Sequence, residues 1–284
     1  ASCLVGSEMC IRDRHIELLI WRFQMKKFSI LLCLGGVALT LGSCSILNKT
    51  SSNPVASNPD IYIVNNSVSD VVSNVEASCI GVYSSDSSSA STGSGVVFKK
   101  EELKYYALTN YHVVSNAISG NRVIGKVEAY INGKTYIDAT IEAVNPNKDL
   151  ACISFEAADK YNVGVSKITD NGIVINPGET VIAIGCPLGL TNFNTVTVGV
   201  ASRSLYSLSF DTVLNTTSTV EVIQHDAAIN SGNSGGALFN IKGDLIGINF
   251  EKTTLSSSGI VVEGMGYAIS LNEVKNFIKT YGLE

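Results

Sequence analysis

The sequence predicts an all-β fold, arranged as a β-sandwich or a pair of β-barrels. Short runs rich in Val, Ile and Thr recur through most of the 284-residue chain, and these residue types favour strands. Turn signals separate the runs at the short spacing found in sandwiches and barrels. The chain also has 25 glycines and only three methionines, which adds to the β tendency. An apolar fraction of 45% and a charged fraction of 16% indicate a packed globular protein rather than a disordered one.

The first 59 residues are expected to lie outside this fold. Residues 1–24 fit no export pattern, and we expect them to be a non-native leader. Residues 25–43 combine two lysines, an apolar run and a Gly-Ser step before Cys44, the pattern of a signal peptide. The apolar run is shorter than the ~20 residues that span a bilayer. The step into Cys44 resembles a bacterial lipoprotein signal, which implies lipidation of Cys44; a plain secretory signal is the alternative. Residues 44–59 are rich in Ser, Asn and Pro and predict a flexible tether.

Charge and cysteine usage exclude some partners. The formal net charge is −5, and five of the 20 basic residues lie in residues 1–44, so no basic stripe remains to bind nucleic acid. Cys79, Cys152 and Cys186 each stand in an apolar run and are expected to be small buried hydrophobic residues. Three cysteines allow at most one disulfide and require none.

The elements that follow the tether can be placed in order. Valines at positions 64, 68, 71, 72 and 75 recur at helical spacing and predict a short helix. CIGVY (79–83) and SGVVF (94–98) predict strands on either side of a Ser-rich loop at 84–92, and YYALTN (105–110) follows the charged turn KKEELK. Nine further runs predict strands: RVIGKVEAYI, KTYIDATIEAVN, LACISF, TVIAIG, TVTVGVASRS, VEVIQHD, GALFN, DLIGINF and GYAI.

A helix is predicted at the end of the sequence, from SLNEVKNFIKTYG. Ser270 and Glu273 have the spacing of a capping box, in which each side chain would bind the other residue's backbone N–H. Leu271, Val274, Phe277 and Ile278 fall on one face of this helix and predict that it packs on the core.

INSGNSGGAL (229–238) raises the question whether Ser234 is a nucleophile on a tight turn. Its GNSGG string also fits the nucleophile turn of α/β-hydrolases, but that fold requires a histidine after the serine, and none follows residue 234. The remaining order is His112, Asp149, Ser234, the order of a chymotrypsin-like triad. In that arrangement the histidine is the general base and the carboxylate orients it, so neither a metal nor a cofactor is needed.

Seven motifs occur in an order that resembles the HtrA/Deg-type serine proteases. They are TGSGVVF, LTNYHVV, NPNKDLACI, TVIAIGCPLG, TVTVGVAS, DAAINSGNSGGALFNIKGDLIGIN and GMGYAIS, and they cover about residues 60–281. The resemblance implies a trypsin-like domain at 60–284, with two six-stranded Greek-key β-barrels at about 79–165 and 166–269, short helices at both ends and no PDZ domain.

The resemblance also implies roles for single residues. His112 would be the general base, Asp149 its orienting group and Ser234 the nucleophile. The backbone N–H groups of Gly232 and Ser234, with Asn233, would form the oxyanion hole, since glycines let such a loop turn its N–H groups inward. Asn233 stands where trypsin-like digestive enzymes have an Asp that pairs with a newly cut N-terminus, so activation by such cleavage is not expected.

The same comparison predicts the substrate pocket. Ala228 stands where trypsin has an acidic specificity group, which predicts a small apolar pocket with further walls from Asn249, Phe250 and Glu251. His225, one residue before Asp226, is interpreted as a structural histidine with an unspecified partner.

Together these features predict a serine endopeptidase that cleaves unfolded or damaged proteins by an acyl-enzyme mechanism. It would be anchored through Cys44 in the bacterial cell envelope and would bind no nucleic acid; a homotrimer is the assembly considered. Two alternatives remain open. One is a catalytically silent protease-fold chaperone or binding lipoprotein, and the other is an esterase that turns over small esters but not peptides.

Overall fold

Two closed β-barrels follow one another along the chain. A computed structural model describes residues 67–120, 122–169, 174–250 and 264–284, all of which belong to one unit, residues 62–284. Each barrel has six antiparallel strands, which confirms the predicted all-β fold and its two six-stranded barrels. The predictions for residues 1–24, 25–43 and 44–59, with Cys44, lie outside the described residues, as does the pocket residue Glu251.

The first barrel is built from strands between residues 79 and 156. In chain order they are β1 (Cys79–Ser85), β2 (Ala90–Glu101), β3 (Lys104–Thr109), the small separate hairpin β4 (Ile118–Ser119) and β5 (Arg122–Val123), then β6 (Lys126–Ile131), β7 (Thr135–Asn145) and β8 (Leu150–Glu156). Around the barrel the order is β1-β2-β3-β8-β7-β6, and β6 closes on β1. Because β3 and β8 are antiparallel neighbours, with Thr109 opposite Ala151, the end of β3 lies beside the start of β8.

The second barrel repeats this Greek-key arrangement between residues 180 and 270. Its strands are β9 (Thr180–Gly185), β10 (Thr195–Asp211), β11 (Thr217–His225), β12 (Ala237–Asn240), β13 (Leu245–Phe250) and β14 (Gly266–Ser270). Their order around the barrel is β10-β11-β14-β13-β12-β9, closed by β9 against β10. The segment 226–236, which contains INSGNSGGAL up to Gly236, connects β11 to β12 across the mouth of this barrel.

Alternation along the strands produces separate layers of core. In the first barrel Ile80, Ala107 and Ile153 point into the barrel, whereas the neighbouring Leu108 and Cys152 belong to a second cluster. That second cluster also contains side chains of the other barrel and of both terminal helices. Successive strand residues point to opposite faces. Strands such as β3 and β8 therefore bury one face inside their own barrel and the other in the second cluster.

Helices cover the second cluster at both ends of the domain. They are α1 (Val68–Val75) and α3 (Leu271–Thr280), with the one-turn α2 (Tyr111–Val114) between them in the chain. Val71 of α1 is buried, and the predicted apolar face of α3 is buried in full, which confirms both helices; Val64 lies outside the described residues. No helix in these described ranges is long and apolar enough to cross a membrane.

The predicted capping box of α3 is only half correct. The Ser270 side chain accepts from the Glu273 N–H, at 3.3 Å, as predicted. The Glu273 carboxylate, however, accepts from Lys148 Nζ at 2.7 Å and from the Glu221 N–H at 3.1 Å. Ser270 is also the last residue of β14 and lies opposite Gly247. Its backbone is therefore part of the sheet, and the carboxylate binds groups of other elements instead.

The strands extend further than the sequence predicted at two turns. The Ser-rich loop expected at 84–92 is reduced to residues 86–89, because β1 continues to Ser85 and β2 begins at Ala90. The Asp86 carboxylate accepts from the Ser88 and Ser89 N–H groups, both at 2.7 Å, which stabilises a tight turn. The charged turn before β3 likewise contracts to the two residues 102–103.

The three cysteines of the described domain are buried, as predicted, and all three are free thiols. Burial raises the pKa of the Cys79 and Cys152 thiols to about 12, and it also raises the pKa of Cys186. They therefore act as small apolar side chains of the core.

Candidate active site

His112 and Asp149 meet where β3 and β8 lie side by side. His112 lies in α2, immediately after β3, and Asp149 immediately precedes β8. His112 therefore lies in a single helical turn. His112 Nδ1 lies 2.7 Å from Asp149 Oδ2, and the His112 backbone N–H donates to Asp149 Oδ1 at 2.9 Å. Both carboxylate oxygens are therefore used to hold one residue, which determines the direction of the imidazole ring.

The backbone of Asp149 is held in an unusual conformation. It has a φ of +51°, in the left-handed region that is costly for a residue with a Cβ. Its carbonyl accepts from the buried Asn110 side chain at 2.8 Å, and only 6% of the residue is exposed. Backbone strain of this kind persists only where surrounding contacts maintain it, and it is frequent at functional sites.

The pairing determines which imidazole nitrogen carries the proton. A neutral histidine has one N–H and one lone pair. With Nδ1 facing a carboxylate, the proton is on Nδ1 and the lone pair is on Nε2. The His112 side chain is 31% exposed, so its ring borders the cleft between the barrels. This arrangement can accept a proton at Nε2 and stabilise the resulting positive charge.

Ser234 lies in the loop between β11 and β12, and residues of the first barrel hold that loop. The Ser94 N–H of β2 donates to the Ser234 carbonyl at 2.8 Å, and Ser94 Oγ donates to the Gly232 carbonyl at 2.7 Å. Ser94 Oγ also accepts from the Cys186 N–H at 2.8 Å. One fully buried serine therefore fastens the serine loop across the cleft. Sequence analysis did not identify Ser94, although it falls within the TGSGVVF motif.

Close packing at glycines brings the Ser234 loop against the His112 turn. A Cβ added to Gly93 would lie 2.6 Å from a Val113 methyl group and 3.0 Å from the Ser234 carbonyl oxygen. A Cβ added to Gly235, whose φ is +85°, would collide with Ser94 O and Thr109 Oγ1. Glycine is thus required at both contacts. Val113, the residue next to His112, and the backbone of Ser234 therefore both pack against β2.

The backbone of the serine loop is fixed peptide by peptide. The Ser231 carbonyl accepts from the Leu188 N–H at 2.5 Å, and the Asn233 carbonyl accepts from the Gly236 N–H at 3.0 Å. In a trans peptide the N–H points opposite to the carbonyl. The N–H groups of Gly232 and Ser234 therefore point away from those two donors, and Gly232 reaches this conformation with a φ of +97°.

Asn233 differs from its predicted role. Its backbone N–H donates to the Asn230 carbonyl at 2.9 Å, inside the loop. That N–H is therefore engaged within the loop and does not serve as an oxyanion donor. Its side-chain oxygen lies against Gly185, where an added Cβ would approach it to 2.7 Å. Asn233 thus shapes the loop through these two contacts, and the oxyanion role of Gly232 and Ser234 stays a prediction.

The predicted pocket residues fall into two groups. Ala228 is exposed, and its carbonyl accepts from Thr197 Oγ1 at 3.0 Å. Asn249 and Phe250 are both buried, and the Phe250 ring packs between other aromatic rings of the core. Their side chains support the site rather than line an open pocket in this conformation. The small apolar pocket at Ala228 stays a prediction.

Comparison with known proteins gives a consistent result. Residues 93–248 match the trypsin-like peptidase domain family. The chain is 43% identical over 188 residues to the serine protease Do-like HtrA of Lactobacillus helveticus, covering 66% of this chain and 42% of the relative. It is 35% identical over 236 residues to the protein of that name in Lactococcus lactis, covering 81% and 55%. The chain therefore spans about half the length of the curated relatives it matches.

A solved structure gives the same match. It is an HtrA-type protease with a tripeptide, which is 29% identical to this chain and superposes with a TM-score of 0.58. The match covers 75% of this chain and 63% of that one.

Proposed function

The chain belongs to the trypsin-like peptidases, among their HtrA/Do-like members, and from that premise we propose that it is a serine endopeptidase. The observation that carries the proposal is the imidazole–carboxylate pair at 2.7 Å beside the fastened Ser234 loop. A serine hydroxyl is a weak nucleophile until a base takes its proton, and His112 with Asp149 provides such a base.

The reaction would proceed in two halves. His112 Nε2 takes the Ser234 proton as Oγ attacks the peptide carbonyl, and the same proton is then given to the leaving amine. The acyl-enzyme that remains is attacked by water, whose proton passes to His112 and then returns to Ser234 Oγ as the acid is released. Asp149 keeps the proton on Nδ1 and stabilises the imidazolium that forms in each half.

The tetrahedral oxyanion would be held by the N–H groups of Gly232 and Ser234. Two hydrogen bonds support this role. The Ser231 carbonyl accepts from the Leu188 N–H and the Asn233 carbonyl accepts from the Gly236 N–H, and both orient these peptides before any substrate binds. Donors fixed in advance need no reorganisation at the transition state, and each is worth about 10²–10³ in kcat. The loop described here is therefore compatible with activity.

The substrate class and location are further parts of the proposal. An exposed Ala228 with no acidic residue at its position favours small or branched aliphatic side chains at the cleavage site. Unfolded or damaged proteins expose such side chains, which makes them the proposed substrates. The pattern at residues 25–44 supports export and lipidation at Cys44, hence a place in the bacterial cell envelope. A homotrimer is the proposed assembly.

Labelling with a fluorophosphonate probe, together with turnover of an unfolded protein such as casein, tests the catalytic proposal on the full chain. The wild type should label and cleave, whereas Ser234→Ala should lose labelling and Asp149→Asn should slow both reactions. The probe reports the nucleophile and the loop, and casein reports peptide cleavage. Labelling without casein cleavage, but with turnover of small esters, would indicate the esterase. Equal background in the wild type and Ser234→Ala would indicate the silent binding protein.

Lipidation is tested separately with Cys44→Ser. A bacterial host fed an alkyne-tagged fatty acid should incorporate the label into the wild-type chain and not into the variant. The variant should also leave the membrane fraction while its labelling at Ser234 is unchanged. Label retained in Cys44→Ser would refute the anchor and leave the peptidase proposal intact.

A further inference from the structure

His225 is a buried histidine that the proposed triad does not use. It is the last residue of β11, with 0% exposure, and lies opposite Ala201 of β10 and Gly266 of β14. A Cβ added to Gly266 would lie 2.7 Å from Cε1 of the ring and 3.0 Å from Nδ1. The imidazole therefore occupies the space over Gly266, and any side chain at that position would displace it.

The ring has few polar neighbours. Among the described residues neither ring nitrogen makes a well-aligned hydrogen bond. The polar groups that face it belong to the Asn249 side chain of β13 and to Asp226 and Ala227, the two residues that follow His225 in the chain. Its strand neighbours Ala201 and Gly266 have no titratable side chain. Burial lowers the pKa of His225 to about 4, against the opposing influence of Asn249, Asp226 and Ala227. The ring is thus neutral near pH 7 and has an N–H to donate.

Asn249 is the neighbour that connects this ring to Ser234. Its backbone carbonyl accepts from the Gly235 N–H and its N–H donates to the Gly236 carbonyl, both at 2.8 Å. Its side-chain Nδ2 donates to the Ala237 carbonyl at 2.8 Å. All three bonds hold the residues that directly follow Ser234. The remaining polar atom, Oδ1, is buried and has no partner among the described residues.

We propose that neutral His225 is a positioning residue for the peptidase reaction, acting through Asn249 on the backbone that carries Ser234. The His225 N–H is the donor that Asn249 Oδ1 lacks, and the two polar groups face each other inside the core. Holding Asn249 Oδ1 would determine the rotation of its side-chain amide and with it the Nδ2 bond to the Ala237 carbonyl, while the backbone of the same residue binds Gly235 and Gly236. This inference rests on the proposed function, because it assigns a role in that reaction.

Protonation would disable this arrangement. An imidazolium needs a negative partner. Among the described residues the carboxylate beside the ring is Asp226, whose Oδ1 accepts from the Val200 N–H at 2.6 Å. The charged ring would therefore leave its place, and Asn249 would lose its neighbour. We expect protonation of His225 to lower kcat in acid, with little change in KM.

Two variants separate positioning from simple packing. His225→Leu keeps an apolar side chain but removes the donor, and His225→Gln keeps an N–H donor that does not titrate. At pH 7 the Leu variant should lower kcat about 10- to 100-fold, the size of effect that small misplacements of a reacting group produce. Its KM should stay within about twofold, since substrate contacts are unchanged. The Gln variant should recover most of kcat.

The pH profile is the readout that a purely structural role would not change. Below about pH 5 the wild type should lose kcat more steeply than His225→Gln, because only the wild type has a titrating side chain at position 225. Equal losses in the Leu and Gln variants, an effect on KM alone, or identical acid limbs would each overturn the inference. If His225→Leu does not fold, the comparison of wild type with His225→Gln decides. A wild type that neither labels nor cleaves would overturn the proposed function itself.

Discussion

Acid should destabilise this protein through His225. Its imidazole is fully buried, and burial lowers its pKa to about 4, whereas an unperturbed histidine has a pKa of about 6.5. Because the folded-state pKa is the lower one, the unfolded chain binds the proton first. The stability contribution is therefore complete above about pH 6.5 and is lost as the pH falls from there towards about 4. A difference of this size corresponds to roughly 3 kcal/mol of unfolding free energy.

The measurement compares urea unfolding, followed by far-UV circular dichroism, at pH 7 and pH 4. Both proteins carry Ser234→Ala, which prevents self-cleavage, and one also carries His225→Leu. Every other titrating group is common to the two, so the difference between their pH dependences reports His225. The protein that keeps His225 should lose about 3 kcal/mol more than the variant. Parallel stability curves from pH 7 to pH 4 would refute the reasoning.

Three further outcomes are expected. Asp149→Asn should lower kcat by about 10⁴-fold, as the same change does in the chymotrypsin-type triad. The reason is that an amide N–H facing Nδ1 forces His112 into the wrong tautomer. A loss below tenfold would contradict this. In urea unfolding, Gly235→Ala should destabilise the protein far more than Gly178→Ala. Both glycines have a positive φ (+85° and +89°), but only at Gly235 would other atoms collide with an added Cβ. Equal losses of unfolding free energy would contradict this packing argument. Cys152 should resist iodoacetamide at pH 8 in the folded protein and react after unfolding, as peptide mass spectrometry would show; modification of the folded protein would contradict its burial.

The fold followed from the sequence because its signals are local. Short runs rich in Val, Ile and Thr, separated by turn segments, recur along the domain, and helical spacing marks only its two ends. The limits of the elements were less accurate. Ser84 and Ser85 were assigned to a loop, yet pairing with Ala90 and Ser91 extends both strands. Serine has no strong strand preference, so partner strands decide its conformation.

The candidate site shows the same division. The order of His112, Asp149 and Ser234 excluded one hydrolase fold and indicated another, because chain order is a property of the sequence. The role of Ser94 could not be inferred, since it depends on a bond to Gly232, 138 positions away. The resemblance also implies an oxyanion role for Asn233, whereas the folded loop binds its N–H to the Asn230 carbonyl. The residue type limits which hydrogen bonds a group can make, whereas the folded backbone decides which of them it makes.

The sequence by itself determined the fold class, the family and the three residues proposed for catalysis. Those depend on residue chemistry, periodicity and order, which are all present before the chain folds. The tertiary structure alone decided that Ser94 holds the loop of the other barrel, that the Asn233 N–H is bound to Asn230, and that the Asn249 side chain faces His225. The first and last of these are contacts between segments distant in sequence, and the second depends on the folded shape of the serine loop. Their geometry therefore exists only once the chain has folded.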